Sequence, residues 1–315
     1  MDRTAAVEAL QRIVVNVEAV IVGKRAAVEA SVLALAADGH LLIEDAPGVG
    51  KTMLARSIAR SIDGVFKRVQ ATPDLLPSDI TGVAIFHQGH QQFEFIPGPI
   101  FGNVVLVDEV NRTTPRTQSS MLEAMEERQV TAEGTTRPLP APFFLIATQN
   151  PFEYHGTYPL PEGQLDRFLI ATTLGYPERS DEEKVVADQL LEHPFERIGP
   201  VVTLSEVEKV QACVRQTRVE PIVIRYAVDL VSATRVHENV MLGAGPRASV
   251  GLVRVAQARA LLRGSDFVRP DDVKAVAPMV MGHRLVMKPQ LRLGHQAGRK
   301  LVAEVVARTP VPVQD

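Results

Sequence analysis

The sequence is poor in cysteine, in long apolar runs and in excess charge. Its 315 residues include a single cysteine, Cys213, so no disulfide can form within the chain, and such usage is typical of a cytosolic protein. No apolar run approaches the roughly 20 residues that span a bilayer. Asp2 and Glu8 interrupt the start of the chain, where a secretory signal would be apolar. The formal net charge of −3 is unlike that of a strongly basic nucleic-acid binder. We therefore expect a soluble, cytoplasmic, globular protein without a membrane span.

Apolar segments of strand length alternate with segments of helical period up to about residue 177. Strands that are apolar throughout and alternate with helices indicate a mostly parallel sheet covered on both faces. After residue 177 only helical periodicity appears. We predict an α/β core over residues 1–177 and an all-helical domain with a C-terminal tail over residues 178–315. Two pairs of short alternating segments, near 81–96 and 129–138, are predicted to be β-hairpins inserted in the core.

A glycine-rich loop follows the first strongly apolar segment and opens a helical one. Strand, glycine loop and helix in this order indicate phosphate binding by backbone N–H groups at a helix N-terminus. Lys51 is expected to reach the β- and γ-phosphates of a nucleotide, and the Thr52 hydroxyl to hold Mg²⁺. The competing interpretation is an ordinary strand-to-helix turn with a solvated lysine. The residues expected to bind the nucleotide are Pro47, Gly48, Val49, Gly50, Lys51, Thr52 and Met53.

The position of the usual first glycine of a phosphate loop is occupied by Asp45. Gly48 and Gly50 supply backbone freedom instead, and Pro47 stiffens the entry to the loop.

An acidic pair, Asp108 and Glu109, ends the apolar run of residues 104–107. Such a pair at the end of a buried strand can face a phosphate loop on a neighbouring strand. Asp108 would then hold Mg²⁺, directly or through water. Glu109 would act as general base on the attacking water. The alternative is two solvated acids at a strand end.

Three further polar residues are candidates for the same chemistry. Asn150 follows the apolar strand near 143–147, where its amide could bind a γ-phosphate or the lytic water; it could also simply start a turn before Pro151. Arg167 could reach the ATP of a neighbouring subunit or pair with a surface carboxylate. Arg247 opens a helix of the second domain, where it could fold over the nucleotide or face solvent.

In this order the motifs resemble AAA+ ATPases, and more narrowly the MoxR group. The narrower likeness rests on three longer phrases, at residues 72–82, 118–130 and 156–162. The resemblance implies an AAA+ P-loop core, with a mostly parallel sheet between helices, followed by a helical lid. It assigns Lys51 and Thr52 to Walker A, Asp108 and Glu109 to Walker B, Asn150 to sensor 1, Arg167 to the arginine finger and Arg247 to sensor 2. The hairpins would be the helix-2 insert and the pre-sensor-1 hairpin.

The resemblance also implies a function. Members of the group are typically rings, usually hexamers, that use Mg²⁺ and ATP for chaperone-like remodelling of a partner. That partner often carries a von Willebrand factor A domain with a metal-dependent adhesion site. A nucleotide-gated assembly platform with little turnover and a magnesium-chelatase-like subunit stay open as alternatives. A nucleic-acid motor is disfavoured because the 81–96 segment carries His87 and His90 but no Lys or Arg, and the 129–138 segment only Arg137.

Overall fold

The computed structural model describes residues 1–87, 89, 91–151, 156–191, 193–291 and 296–311. The strands, in chain order, are β1 (Leu41–Glu44), β2 (Phe66–Gln70), β3 (Gly82–His87), β4 (Gln92–Pro97), β5 (Val104–Asp108), β6 (Gln129–Ala132), β7 (Thr135–Pro138), β8 (Phe144–Gln149), β9 (Ile170–Thr172), β10 (Val240–Leu242) and β11 (Val286–Met287). The α-helices are α1 (Arg3–Glu18), α2 (Arg25–Ala36), α3 (Lys51–Ser61), α4 (Pro77–Thr81), α5 (Pro115–Glu127), α6 (Glu162–Leu165), α7 (Arg179–Leu191), α8 (Pro194–Arg197), α9 (Leu204–Gln216), α10 (Pro221–Arg235), α11 (Pro246–Leu262), α12 (Pro270–Met281) and α13 (Gln296–Arg308).

Five parallel strands form the central sheet, in the order β2-β5-β8-β1-β9. The predicted parallel sheet is confirmed. In its middle, Leu42 pairs with Ala147 and Ala147 with Val107, which sets the ends of β1, β8 and β5 nearly level. Because the strands run in one direction, the loops that follow them meet at one edge of the sheet, here called the carboxyl edge.

The apolar strands divide their side chains between two cores, as the period of two residues requires. Leu41 and Ile43 of β1 point to the face covered by α1, α2, α3 and the helices after residue 177. Leu42 points to the opposite face, which α5 covers with Met121 and Met125. Burial on both faces explains why these strands lack polar alternation.

Both predicted hairpins are present, β3–β4 and β6–β7. His87 lies at the end of β3, whereas His90 lies outside the described residues. The hairpins touch each other: the Ala84 N–H donates to the Glu133 carboxylate at 3.1 Å, and the Arg137 guanidinium lies 3.8 Å from the centre of the Phe95 ring. They therefore form one connected projection.

The region after residue 177 is mainly helical, as predicted. It also contains a two-stranded antiparallel ladder, β10–β11, and the helix α13. The expectation of helices alone is corrected in this detail. Strands of three and two residues are too short to leave a periodic signal.

The N-terminal helices join the two regions. α1 packs on α3 beside the sheet and also on α9 and α11, and α2 contacts α9, α11 and β9. One continuous apolar core consequently runs across residue 177. None of the described helices is long and apolar enough to cross a membrane.

His40 fastens the start of β1 to neighbouring elements. Its Nδ1 accepts from the Leu145 N–H at 3.0 Å, and its Nε2 lies 3.2 Å from the Met125 carbonyl oxygen. This pattern requires a neutral ring with its proton on Nε2. Burial, with a smaller contribution from Arg128, lowers the pKa of His40 to about 3.

We predict that His40 makes the protein acid-sensitive. The His40 ring stays neutral in the folded state but takes up a proton near pH 6.5 in the unfolded state. Its contribution to the free energy of unfolding is therefore complete above pH 6.5 and is lost as the pH falls toward 3. Between pH 7 and pH 5 the free energy of unfolding should drop by about 2 kcal/mol more in the wild type than in His40→Gln. Urea denaturation at both pH values measures this, and an equal drop in both proteins would contradict it.

Candidate functional site

The phosphate loop lies at the carboxyl end of β1 and runs directly into α3. Gly48 has a φ of 81°, and Gly50, the N-cap of α3, has a φ of 94°. Both angles lie in the left-handed region that favours glycine. The N–H groups in the first turn of a helix have no intrahelical acceptor. Gly50 has no side chain that could accept from them. A helix end of this kind is a ready site for phosphate oxygens.

Lys51 is buried at the first position of α3, and its Nζ donates to the Asp45 carbonyl oxygen at 2.8 Å. Burial lowers the pKa of Lys51. The carboxylates of Asp108, Asp45 and Glu109 oppose that shift by stabilising the ammonium. Their influence indicates that the loop and the acidic pair share one electrostatic environment at the carboxyl edge.

Asp108 ends β5 and is held from two sides. The Thr148 hydroxyl donates to Asp108 Oδ1 at 2.7 Å, and Arg68 Nη2 donates to Asp108 Oδ2 at 2.7 Å. Thr148 lies on the neighbouring strand β8, and Arg68 on β2 at the edge of the sheet. The Asp108 carboxylate is thus fixed in position by two donors.

Glu109 follows in a left-handed conformation, with φ 58° and ψ 50°. Its N–H donates to the Thr148 hydroxyl at 2.9 Å, which holds the strained backbone in place. Its Oε2 lies 3.1 Å from Arg112 Nη1 and 3.4 Å from Gln70 Nε2. The carboxylate is therefore oriented by Gln70 of β2 and by Arg112, which follows β5.

Asn150 immediately follows β8, level with the ends of β1 and β5. Next to it, the Gln149 amide donates to Glu44 Oε1 at 2.6 Å, and both side chains are buried. The structure thus brings the loop, Asp108, Glu109 and Asn150 to one edge, as the sequence predicts.

A cavity of about 270 Å³ adjoins the phosphate loop. Met53 of α3 and residues 20–22, which follow α1, line it together with Gly48–Gly50. α7 and its flanking residues close it from the other region. A mostly apolar cleft with a few polar groups suits a flat heteroaromatic ring beside the phosphates.

Arg167 and Arg247 occupy the opposite edge of the sheet. Both line a small cavity with His40, which precedes β1, whereas the phosphate loop follows β1. The four residues of β1 separate the two sites by about 13 Å of strand. Arg167 Nη1 donates to the Leu122 carbonyl oxygen at 2.6 Å and lies 3.3 Å from Glu126 Oε2.

Arg247 shares Glu126 with Arg167. Its Nη2 contacts Glu126 Oε1, and its Nη1 lies 3.7 Å from Asp166 Oδ2. Within one chain Arg247 lies away from the phosphate loop, and its assignment to sensor 2 stays a prediction. The start of α11 packs near the amino end of β1, and sequence order carries no signal for which edge a lid helix reaches.

Several site residues were not recognised from the sequence. Thr148 and Arg112 lie within the motifs around Asn150 and Asp108, so the sequence places them near the site. Their hydrogen bonds leave no signal in the sequence. Residues 20–22 carry no polar signal at all. The unrecognised residues are Val20, Ile21, Val22, Arg68, Gln70, Arg112, Glu126 and Thr148.

Comparison with known proteins gives consistent matches. Residues 40–170 match the ATPase family associated with various cellular activities (AAA), and residues 232–304 match the AAA lid domain. The uncharacterized protein YeaC of Bacillus subtilis is 48% identical, covering 97% of this chain and 95% of its own length. The Chaperone MoxR1 of Mycobacterium tuberculosis is 40% identical, covering 90% of this chain and 77% of its own.

A solved structure agrees with these relatives. The crystal structure of a candidate ATPase from Cytophaga hutchinsonii superposes with a TM-score of 0.91 at 32% identity, covering 99% of this chain and 97% of that one. The two family matches leave residues 171–231 between them, so the domain boundary after residue 177 stays a prediction.

We predict that Thr148 is the main stabilising contact of the acidic pair. Thr148→Val removes a donor from Asp108 and an acceptor from the Glu109 N–H, and should lower the free energy of unfolding by about 1–3 kcal/mol. Thr135→Val, at an exposed position of β7, is the matched control and should change it little. Equal denaturation midpoints for the two variants would contradict this role.

Proposed function

Since the chain belongs to the MoxR-type AAA+ ATPases, we propose that it hydrolyses ATP with Mg²⁺ at the seam between two copies of itself. The observation that carries the proposal is the separation of the site residues. The phosphate loop and the acidic pair lie at the carboxyl edge of the sheet, and Arg167 and Arg247 at the opposite edge. A second copy is needed to complete the site.

The carboxyl edge would hold the nucleotide. The uncapped first turn of α3 would donate to the phosphates, and Lys51 would exchange its bond to Asp45 for one to the β- and γ-phosphates. Met53 and residues 20–22 would contact the base. Thr52, on the first turn of α3, and Asp108 are oxygen donors of the kind that Mg²⁺ prefers, so the residues present fit this ion. Mg²⁺ would neutralise charge that develops on the phosphates.

Glu109 would take a proton from the attacking water as general base, and Asn150 would orient that water. The contacts of Glu109 with Arg112 and Gln70 support this assignment, because they fix the orientation of the carboxylate at the carboxyl edge.

The opposite edge of a neighbouring copy would supply Arg167 as the arginine finger and Arg247 as a second cation. Both guanidinium groups contact Glu126, and Arg247 also lies near Asp166. An incoming phosphate would take the place of Glu126 on these partly exposed arginines. A head-to-tail contact of this kind closes into a ring when the rotation permits, and six protomers is the number that the family resemblance implies.

Hydrolysis would be coupled to chaperone-like remodelling of a partner protein. The connected hairpins are the proposed contact, because Val83, Ile85, Phe86, Phe93 and Ile96 are exposed apolar residues on β3 and β4. A protein with a von Willebrand factor A domain is the partner that the resemblance implies, whereas a nucleic acid is disfavoured by the lack of Lys and Arg on β3 and β4.

We predict that Glu109→Gln binds ATP with an affinity within a few-fold of the wild type but loses turnover by about 10² or more, the usual contribution of a general base. Phosphate release and binding of a fluorescent nucleotide measure the two effects. Glu127→Gln, exposed at the end of α5, is the matched control and should behave as wild type. Wild-type turnover by Glu109→Gln would disprove the assignment, and negligible release by the wild type would favour the nucleotide-gated platform.

We also predict that mixing inactive variants restores activity. Arg167→Ala and Glu109→Gln should each be inactive alone, because each spoils every seam of its own ring. In an equimolar mixture, roughly a quarter of the seams pair an intact Glu109 with an intact Arg167. Phosphate release should therefore recover in the mixture.

The same mixing test decides the side on which Arg247 acts. Glu109→Gln mixed with Arg247→Ala should also recover, because the structure places Arg247 beside Arg167. Arg167→Ala mixed with Arg247→Ala should stay inactive, because every protomer then presents only one of the two arginines to its neighbour. Recovery in the second mixture but not in the first would contradict the placement.

A further inference from the structure

Asp45, the residue that stands where a phosphate loop usually has glycine, joins two distant segments. Its Oδ1 accepts from the Ala46 N–H at 3.0 Å. Its Oδ2 accepts from the Leu174 and Gly175 N–H groups at 2.6 and 2.7 Å. The side chain is buried. A glycine at this position could make none of these bonds.

The backbone of Asp45 is part of the same junction. Its carbonyl oxygen accepts from Lys51 Nζ, and its N–H donates to the Gln149 carbonyl oxygen at 3.1 Å. The carbonyl oxygen of Asp45 therefore contacts Lys51, which is proposed to bind phosphate, and its carboxylate contacts the remote segment at Leu174–Gly175. A change in the position of Lys51 acts directly on the peptide that carries the Asp45 carboxylate.

The remote segment is the linker between β9 and α7. Gly175 has a φ of 64°, which glycine adopts readily. Next to it, Lys24 Nζ donates to the Tyr176 carbonyl oxygen at 2.6 Å. The linker is thus held at consecutive residues, by Asp45 from the loop and by Lys24 from the segment before α2. α7, which lines the cavity beside the loop, begins directly after it.

The last helix, α13, also contacts the chain next to this linker. Arg299 of α13 donates through Nη1 to the Thr173 hydroxyl at 3.4 Å. Burial lowers the pKa of Arg299, and the carboxylates of Glu44 and Asp45 oppose that shift. Asp45 consequently acts on Arg299 of α13 as well as on the linker that precedes α7.

We propose that Asp45 is a positioning residue that transmits the state of the phosphate loop to the linker at Leu174–Gly175, and so sets the orientation of the helices after residue 177. When Lys51 leaves the Asp45 carbonyl oxygen for phosphate, the loop peptide is free to shift, and the carboxylate carries that shift to the two linker N–H groups. Asp45 itself touches no reacting atom. The inference rests on the proposed nucleotide site but assigns this residue a separate role.

The test compares four full-length proteins: wild type, Asp45→Gly, Asp45→Asn and Asp229→Asn. Asp45→Gly restores the usual loop glycine and removes all three side-chain bonds. Asp45→Asn keeps the size of the side chain but replaces one accepting oxygen with a donor, and serves if the glycine variant folds poorly. Asp229→Asn makes the same charge change at an exposed site on α10. Each is measured with and without ADP and Mg²⁺, for nucleotide affinity and for amide hydrogen exchange.

In Asp45→Gly, nucleotide affinity should stay within about threefold of wild type, because Gly50, Lys51 and Thr52 are unchanged. The Leu174 and Gly175 amides should exchange at least about tenfold faster, since they lose their acceptor. The nucleotide-dependent change in exchange of α7 and α13, present in the wild type and Asp229→Asn, should disappear. Asp45→Asn should lie between the two.

A nucleotide response of α7 and α13 that persists in both Asp45 variants would overturn the inference while leaving the proposed function intact. So would a loss of nucleotide affinity of more than about tenfold in Asp45→Asn, because Asp45 would then shape the loop rather than transmit its state. Failure of the wild type to take up ADP would instead contradict the proposed function.

Discussion

The common direction of the five strands is the constraint on which the rest of the structure depends. Because β5, β8 and β1 are parallel and nearly in register, whatever follows each strand lies at the carboxyl edge. Asp45, Glu109 and Asn150 are far apart in sequence and close together for this reason. Antiparallel pairing at any one of these positions would send one group to the other edge, about 13 Å away.

The same direction determines what collects at the other edge. Residues that precede β1 and β9 lie there, and these include His40 and Arg167. α11 brings Arg247 to the same place, where Glu126 holds both guanidinium groups. One chain therefore carries the phosphate loop and the acidic pair at one edge, and Arg167 and Arg247 at the other. This separation is a consequence of strand direction. Under the proposed function, hydrolysis therefore requires two copies of the chain.

Much of this arrangement could be predicted from the sequence, because its signals are local. Residues 104–107 of β5 form a continuous apolar run, and α5 begins at Pro115, a residue type that favours the first turn of a helix. Glycines and a lysine between a strand and a helix are sufficient to predict the phosphate loop. Fully buried parallel strands and proline-started helices each leave a distinct local pattern.

What could not be predicted depends on contacts between distant residues. The sequence shows Asp45 only as a departure from the phosphate-loop pattern. Its contacts cannot be predicted, because its partners Leu174 and Gly175 lie some 130 residues further on. α13 contains Gly298, which weakens a helical pattern. A Cβ at Gly298 would lie 2.1 Å from the Gly282 carbonyl oxygen, so the glycine serves a close approach that no local rule reveals. The position of Arg247 beside Glu126 and Asp166 likewise depends on contacts between distant residues.

The most direct measurement of the central claim is a structure of the assembled protein with Mg²⁺ and a non-hydrolysable ATP analogue. We expect the γ-phosphate to lie between Lys51 of one protomer and Arg167 and Arg247 of the next, with Glu126 released from at least one of the two arginines. A γ-phosphate enclosed by the residues of a single chain, with both arginines still paired to Glu126 and remote from any nucleotide, would contradict it.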